Sequence, residues 1–284
     1  MKFYLDCYAC FVRQTINAAR HAGCDDPVQH KIMVKVLELL QNLSPETTPP
    51  HVAKAVHGII RAYSNNPDPY KEAKARCTRA AMELYDDLKA MVAASADPLG
   101  TALRLAIAGN IIDLGVSDEH EDLWHTVDRV LAQDYAVDDE AILRREMEMA
   151  DHILYLGDNA GETVFDRVLI ETLDKPVVYA VRGRPILNDA IMEDAIAAGL
   201  DKAATTLLDN GADAPGTILS LCKPEFVEAY NKAPVIIAKG QGNYETLNNA
   251  GPKVFCLLQI KCPVIERDMG APMGGIILRQ STAL

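Results

Sequence analysis

Short runs of oxygen-bearing side chains recur in the second half of this 284-residue chain, each beside a glycine. Gly157-Asp158-Asn159-Ala160-Gly161-Glu162 offers two adjacent oxygen ligands, and hard divalent ions prefer carboxylate, carbonyl and water oxygens. Gly161 lets an anion approach the backbone, and a helix starting beyond it would turn free N–H groups toward a phosphate. The same residues also read as a plain turn and N-cap. Asn188-Asp189 stands after Pro185, and by itself Asp189 reads first as an N-cap. Arg182 and Arg184 flank it, one as a solvated loop charge and the other free to grip a phosphate in a bidentate contact. Asn210-Gly211-Ala212-Asp213-Ala214-Pro215-Gly216-Thr217 is glycine-rich but lacks the G-x-x-x-x-G-K-[ST] of a P-loop. Lys239-Gly240-Gln241-Gly242-Asn243 places a lysine where it meets a phosphate as a point charge, or lies on a surface loop.

The first half is poorer in such signals. Gly109-Asn110 can end a helix, since both residues tolerate the left-handed conformation, and Asn110 and Asp113 could project toward the same crevice. Cys7-x-x-Cys10 reads as a redox pair, as half of a second metal site, or as two small residues packed between helices. The seven histidines show no H-E-x-x-H spacing.

Residues so far apart act together only if a fold brings them to one edge. Continuous apolar runs at 153–156, 177–181, 205–208, 235–238 and 254–260 suit strands buried on both faces. Helical segments at 162–173, 189–198 and 216–221 lie between them. This alternation predicts an α/β class with a parallel sheet, whose ligands bind outside the carboxyl ends of the strands. Asp158, Asn159, Glu162, Asp189, Asp213, Lys239 and Asn243 would then share a crevice. Before residue 150 helical periodicity dominates, over 7–22, 27–43, 50–63, 69–94, 99–108, 121–133 and 138–149, with no convincing strand. The expected organisation is an all-helical N-terminal domain, 1–148, capping an α/β domain, 149–284.

Composition narrows the class of partner. The net charge is −12 and the pI about 5.0, which disfavours a nucleic-acid polymer or an anionic membrane. A small phosphorylated metabolite stays open, because a local metal reverses the sign of the field. No apolar run approaches the roughly 18–20 residues of a spanning helix. Seven cysteines, an odd number, and an opening M-K-F-Y-L-D-C suggest a cytoplasmic protein with reduced thiols. Nothing in the composition decides between a monomer and a homo-oligomer.

In order, G-D-N-A-G-E, R-G-x-P-I-L-N-D-A, N-G-A-D-A-P-G-T and K-G-Q-G-N-Y-E resemble the damage-control phosphatases, a family that includes the protein known as an acidic-residue methyltransferase. The C-x-x-C, the D-P-Y-x-x-x-K of Asp68 to Lys74 and the A-G-N-x-I-D of Ala108 to Asp113 look like its stand-alone microbial branch. The resemblance spans essentially the whole chain. It implies a helical region over a Rossmann-like, three-layer α/β/α domain, and divalent-metal-dependent hydrolysis of sugar phosphates, nucleotides or damaged phosphometabolites. It puts metal ligands on Asp158, Asn159 and Asp189, a substrate loop on Asn210 to Asp213, and a phosphate-side lysine on Lys239, with Asn110 and Asp113 bordering the site. Mn²⁺, Co²⁺, Ni²⁺ and Mg²⁺ are the candidate ions. Asp113 and Glu162 are the expected general bases. Two competitors stand beside this reading. One is an S-adenosylmethionine-dependent carboxyl methyltransferase, which G-D-N-A-G-E fits poorly; the other is a non-catalytic sensor of a phosphometabolite or metal.

Overall fold

Local sequence sets the first helices plainly. In this computed structural model, which describes residues 1–44, 46–111 and 120–283, α1 spans Leu5–His21 and α2 Asp26–Gln41. The α2 N-cap Asp25 accepts a bond from the Val28 amide, and Pro27 sits in the first turn, where its missing N–H costs nothing. Helix α3 (Pro49–Ser64) also starts on proline and ends at Asn65 in the left-handed conformation. These three helices close a small core of their own around Phe11, Ile32, Val36, Val56 and Ile60, to which Val264 also contributes.

The next helices, α4 (Lys71–Ala94), α5 (Pro98–Ile111), α6 (His120–Leu131) and α7 (Glu140–Met149), belong to a different core. Leu84 and Leu88 of α4 and Leu105 of α5 pack with Ile153, Tyr155 and Ile237 of the sheet. The α5 surface is apolar nearly all round, as a helix buried between two layers must be.

Seven strands form one sheet in the order β1-β7-β6-β5-β2-β3-β4. They are β1 (Tyr135–Asp138), β2 (Ile153–Leu156), β3 (Val177–Val181), β4 (Thr206–Asp209), β5 (Val235–Lys239), β6 (Val254–Gln259) and β7 (Ile276–Gln280). All neighbours are parallel except β6 and β7. Helices α8 (Thr163–Thr172), α9 (Met192–Ala197) and α10 (Leu200–Ala203) join α4–α7 on one face. Helices α11 (Pro224–Lys232), α12 (Gly240–Leu247) and α13 (Pro263–Met269) cover the other. The chain runs outward from β2 through β3 to β4, then returns to lay β5 on the opposite side of β2. That reversal makes the carboxyl ends of β2 and β5 the switch point, where a crevice is expected.

The α/β expectation therefore holds, with corrections. A strand, β1, does precede residue 150. It is only four residues long, with alternate residues exposed, and it forms because β7 supplies a parallel partner. The sheet thus reaches back past the 148/149 boundary. The expected helix at 216–221 is reduced to a 3-10 turn at Leu219–Leu221, while α11, α12, α13 and β7 were not expected.

Candidate active site at the switch point

Strand β2 delivers Asp158 and Asn159 at its carboxyl end, and the loop after β3 delivers Asp189. The two loops are zipped by backbone bonds. The Ala190 amide donates to the Asp158 carbonyl at 2.7 Å and the Ala160 amide to that of Asn188 at 2.9 Å, making an isolated bridge between Asn159 and Asp189. Three residues from two separate motifs are thereby brought side by side, all nearly buried.

Charge is concentrated there. The Arg182 guanidinium, buried at the end of β3, donates from Nε to Asp189 Oδ2 at 2.7 Å and reaches Asp158 Oδ1 at 3.4 Å. It is the loop arginine that the sequence left undecided, and it bridges the two carboxylates. Even so, burial and the neighbouring charges of Asp189 and Glu162 push the Asp158 carboxyl well above the usual carboxylate range, against the pull of Arg182 and Lys261.

A second layer holds this first one. Glu162 has no solvent exposure; its Oε2 accepts from Asn159 Nδ2 at 3.0 Å and Asn110 Nδ2 at 2.9 Å. Its Oε1 accepts from Lys239 Nζ at 2.6 Å. Lys239 also donates to Asp166 Oδ1 at 2.8 Å and to the Ala106 carbonyl at 2.8 Å, so all three ammonium hydrogens are spent on protein. Asp166, one helical turn beyond Glu162 on α8, completes the cluster by accepting from the Tyr155 hydroxyl at 2.6 Å and the Tyr179 hydroxyl at 2.8 Å. Burial and Glu162 raise its carboxyl above the normal range despite Lys239. Asp166 was missed from sequence; its one signal is an i, i+4 carboxylate pair on an otherwise apolar helix face.

The lysine expected at the phosphate and the glutamate expected as a base are both without solvent exposure and are bonded to one another. Glu162 has both oxygens engaged, by Asn110, Asn159 and Lys239. Asn110, at the end of α5, stays with the site: its Nδ2 donates to Asp158 Oδ2 at 3.1 Å, and its carbonyl accepts from Lys261, another residue the sequence reading missed. Asn110 Oδ1 is buried and has no hydrogen-bond partner among the described residues. Asp113 lies outside the described residues.

The expected substrate loop is used differently. Asn210 Oδ1 accepts from the Gly183 and Ala212 amides, tying the loops after β3 and β4 together. Gly211 has φ +80°, and a side chain on Gly183 would collide with its backbone. Asp213 turns outward to pair with Arg61 at 2.9 Å and with Lys54, both on α3. Burial opposes its charge, but those two cations hold its carboxyl below the normal range. Asn243, fully buried, donates to the Lys239 carbonyl at 2.8 Å and accepts from the Thr217 hydroxyl. The side chains of Asn210, Asp213 and Asn243 thus make their contacts with neighbouring loops and with α3. Cys7 and Cys10 lie away from this cluster, in the wall of a neighbouring cavity.

One backbone position fixes how closely the two switch-point strands approach. Gly240 follows Lys239 with φ +80°, and a Cβ there would stand 1.8 Å from Asp158 Oδ2. Only glycine lets α12 begin directly behind the carboxylate.

Among the described residues no three His, Cys, Asp or Glu side chains converge closely enough to hold an ion by themselves. The set expected from sequence is mixed, two carboxylates and one amide oxygen, and in it the Asn159 Nδ2 is committed to Asp158 and Glu162. Hard oxygen donors of this kind suit Mg²⁺ or Mn²⁺. Even with Arg182 between them, Asp189 still pushes the Asp158 carboxyl upward, so the pair carries negative charge that a cation would meet.

Comparison with known proteins finds relatives along nearly the whole chain. The model of the damage-control phosphatase ARMT1-like domain matches residues 3–277. The chain is 34% identical over 283 residues to the damage-control phosphatase PH1575 of Pyrococcus horikoshii, covering 98% of this chain and 97% of that one. It is 32% identical over 288 residues to a damage-control phosphatase of Archaeoglobus fulgidus, at 98% and 99% coverage. The crystal structure of a DUF89 family protein from Pyrococcus horikoshii superposes with a TM-score of 0.92 and 33% identity, over 99% of this chain and all of that one. By sequence along nearly its full length and by fold, the chain belongs to the damage-control phosphatase ARMT1-like family.

Proposed function

We propose that the chain is a metal-dependent phosphomonoesterase acting on a small phosphorylated metabolite, with Asp158, Asn159 and Asp189 as the metal ligands. The observation that carries this reading is the pairing of the two loops, which sets two buried carboxylates and an amide against one another at the switch point. A divalent ion there supplies Lewis-acid polarisation of a phosphoryl oxygen.

The protein's own part is positioning, which is most of what phosphoryl transfer needs. Arg182 keeps both carboxylates oriented and brings a delocalised cation to the crevice, where the charge of a phosphoryl group must be met. Asn110 and Glu162 lock the side chains of Asp158 and Asn159. Lys239 neutralises Glu162 and Asp166 from below rather than touching substrate. Backbone amides near Gly161 and Gly211 are the remaining anion donors.

The test is hydrolysis of an aryl phosphate after chelation, with Mn²⁺, Co²⁺, Ni²⁺ and Mg²⁺ returned one at a time, in the parent and in Asp158→Ala. Activity restored by metal in the parent alone supports the assignment. Equal activity in both proteins, or activity unaffected by the chelator, removes it.

A further inference from the structure

A cavity of about 500 Å³ opens between α1 and the segment entering α13. Its wall carries Cys7 and Cys10 of α1 and, from far along the chain, Cys262 at the N-cap of α13. All three are free thiols; Cys7 is buried, Cys262 half-buried and Cys10 exposed. The C-x-x-C seen in the sequence therefore has a third member. The thiols are near enough that the charge of Cys262 bears on the ionisation of both others.

Helix geometry excludes one of the three pairs, and exposure favours Cys10 over Cys7 as the thiol a solute can reach. Cys7 and Cys10 both lie inside α1, where residues three apart hold their Cβ atoms about 5–6 Å from each other. A disulfide asks for roughly 3.5–4.5 Å, so that pair cannot close without unwinding the turn. Cys262 is on a different element and is under no such restraint. The two elements are already docked: Arg267 of α13 pairs with Asp6 of α1, and Val264 packs in the same core as Cys7 and Phe11.

We propose that Cys10 and Cys262 form a thiol–disulfide exchange site for low-molecular-weight disulfides, and that the resulting bond tethers α1 to α13 across the cavity. Cys10, the exposed thiol, attacks the small disulfide RSSR as thiolate; a Cys10–S–S–R bond forms and RS⁻ leaves. The Cys262 thiolate then attacks the Cys10 sulfur and expels the second RS⁻. Both leaving thiolates are protonated, so one RSSR is reduced to two RSH and the two cysteines lose two hydrogens. Burial raises the Cys10 thiol above its ordinary range, so the exchange is slow near neutrality and quickens in alkali.

The tether also reaches the crevice. Cys262 follows Lys261, whose ammonium holds the Asn110 carbonyl, and Asn110 in turn holds Asp158. Leu187, two residues before Asp189, lines the same cavity. This coupling rests on the phosphatase reading, whereas the bond itself does not.

The experiment treats the full chain with oxidised glutathione, blocks residual thiols, and maps disulfides by mass spectrometry of a non-reducing digest. A Cys10–Cys262 linkage is expected in the parent and in Cys7→Ser, and is absent from Cys10→Ser and Cys262→Ser. A Cys7–Cys10 linkage, or glutathione adducts without any internal bond, overturns the proposal. Aryl phosphate turnover is read in parallel. A several-fold change in KM, reversed by dithiothreitol and missing from Cys262→Ser, is expected; unchanged kinetics in cross-linked protein overturns the coupling. A preparation inactive with every metal would discredit the phosphatase reading, while the digest would still decide the bond.

Discussion

The Lys239 ammonium lies 2.6 Å from Glu162 Oε1 in a space with no exposure to solvent, and Asp166 lies 2.8 Å from the same nitrogen. One cation faces two carboxylates, so both the fold and the crevice depend on it. Replacing Lys239 with Met should leave those carboxylates unpaired at a cost of about 3–5 kcal/mol, the usual result of breaking a buried pair from one side. Urea unfolding of Lys239→Met against Lys239→Met combined with Glu162→Gln checks this. The double variant should recover part of the loss, and equal midpoints would contradict the paired cluster.

Asp158→Asn separates stability from activity. The Asp158 carboxyl is pushed upward by burial and by Asp189, so removing its charge relieves strain in metal-free protein. We expect a melting temperature in chelator equal to or above that of the parent, with kcat/KM on an aryl phosphate plus metal down by about two orders of magnitude or more. A lower melting temperature would mean that the contacts from Arg182 and Asn110 outweigh burial and the repulsion of Asp189.

Gly240→Ala should damage both. The substitution strains a backbone at φ +80° and drives a methyl group into Asp158 Oδ2. A cost of roughly 1–3 kcal/mol is expected, together with weakened metal activation, read as a higher metal concentration for half-maximal rate. Gly251→Ala, also at positive φ but with nothing near its added carbon, should cost stability while sparing activity.

His57 gives a pH signature. Burial, helped by Arg61, pushes its imidazole down to about 3, against 6.5 for the free side chain. Between those values the unfolded chain binds a proton that the folded chain refuses. Stability from this residue is therefore intact above 6.5 and declines as pH falls, with a slope of up to ~1.4 kcal/mol per pH unit. His57→Leu also removes a buried ring nitrogen, Nε2, that has no partner among the described residues. Its stability should fall less steeply with acid than that of the parent, as measured by urea midpoints across that range; parallel curves would show that His57 is protonated in the fold.

Much of this was legible from residue order. Strands β2, β3, β5 and β6 announce themselves because buried parallel strands need unbroken apolar runs, and their ends collect polar residues because that is where a parallel sheet opens. What the sequence withholds is direction. Asn243 and Asn210 look like substrate contacts because a strand-end amide next to glycine suits either a ligand or a neighbouring loop; here both bind loops. Lys239 looks like a phosphate contact until α8 brings Glu162 and Asp166 beneath the sheet edge. Helix α12 was hidden by its two glycines, the first of which is there to clear Asp158. Strand β1 was hidden because Tyr-Ala-Val-Asp has little strand character without β7 beside it.

That last pairing constrains how the molecule is made. The backbone of Gln280 donates to Asp139 just beyond β1, across a separation of 141 residues, and β7 is wedged between β1 and β6. During synthesis β1 has no strand to pair with until β7, about 140 residues later, has been made. Contacts of such long span close slowly, so a truncated chain lacking β7 should expose an unfilled slot to aggregation rather than fold as a smaller enzyme.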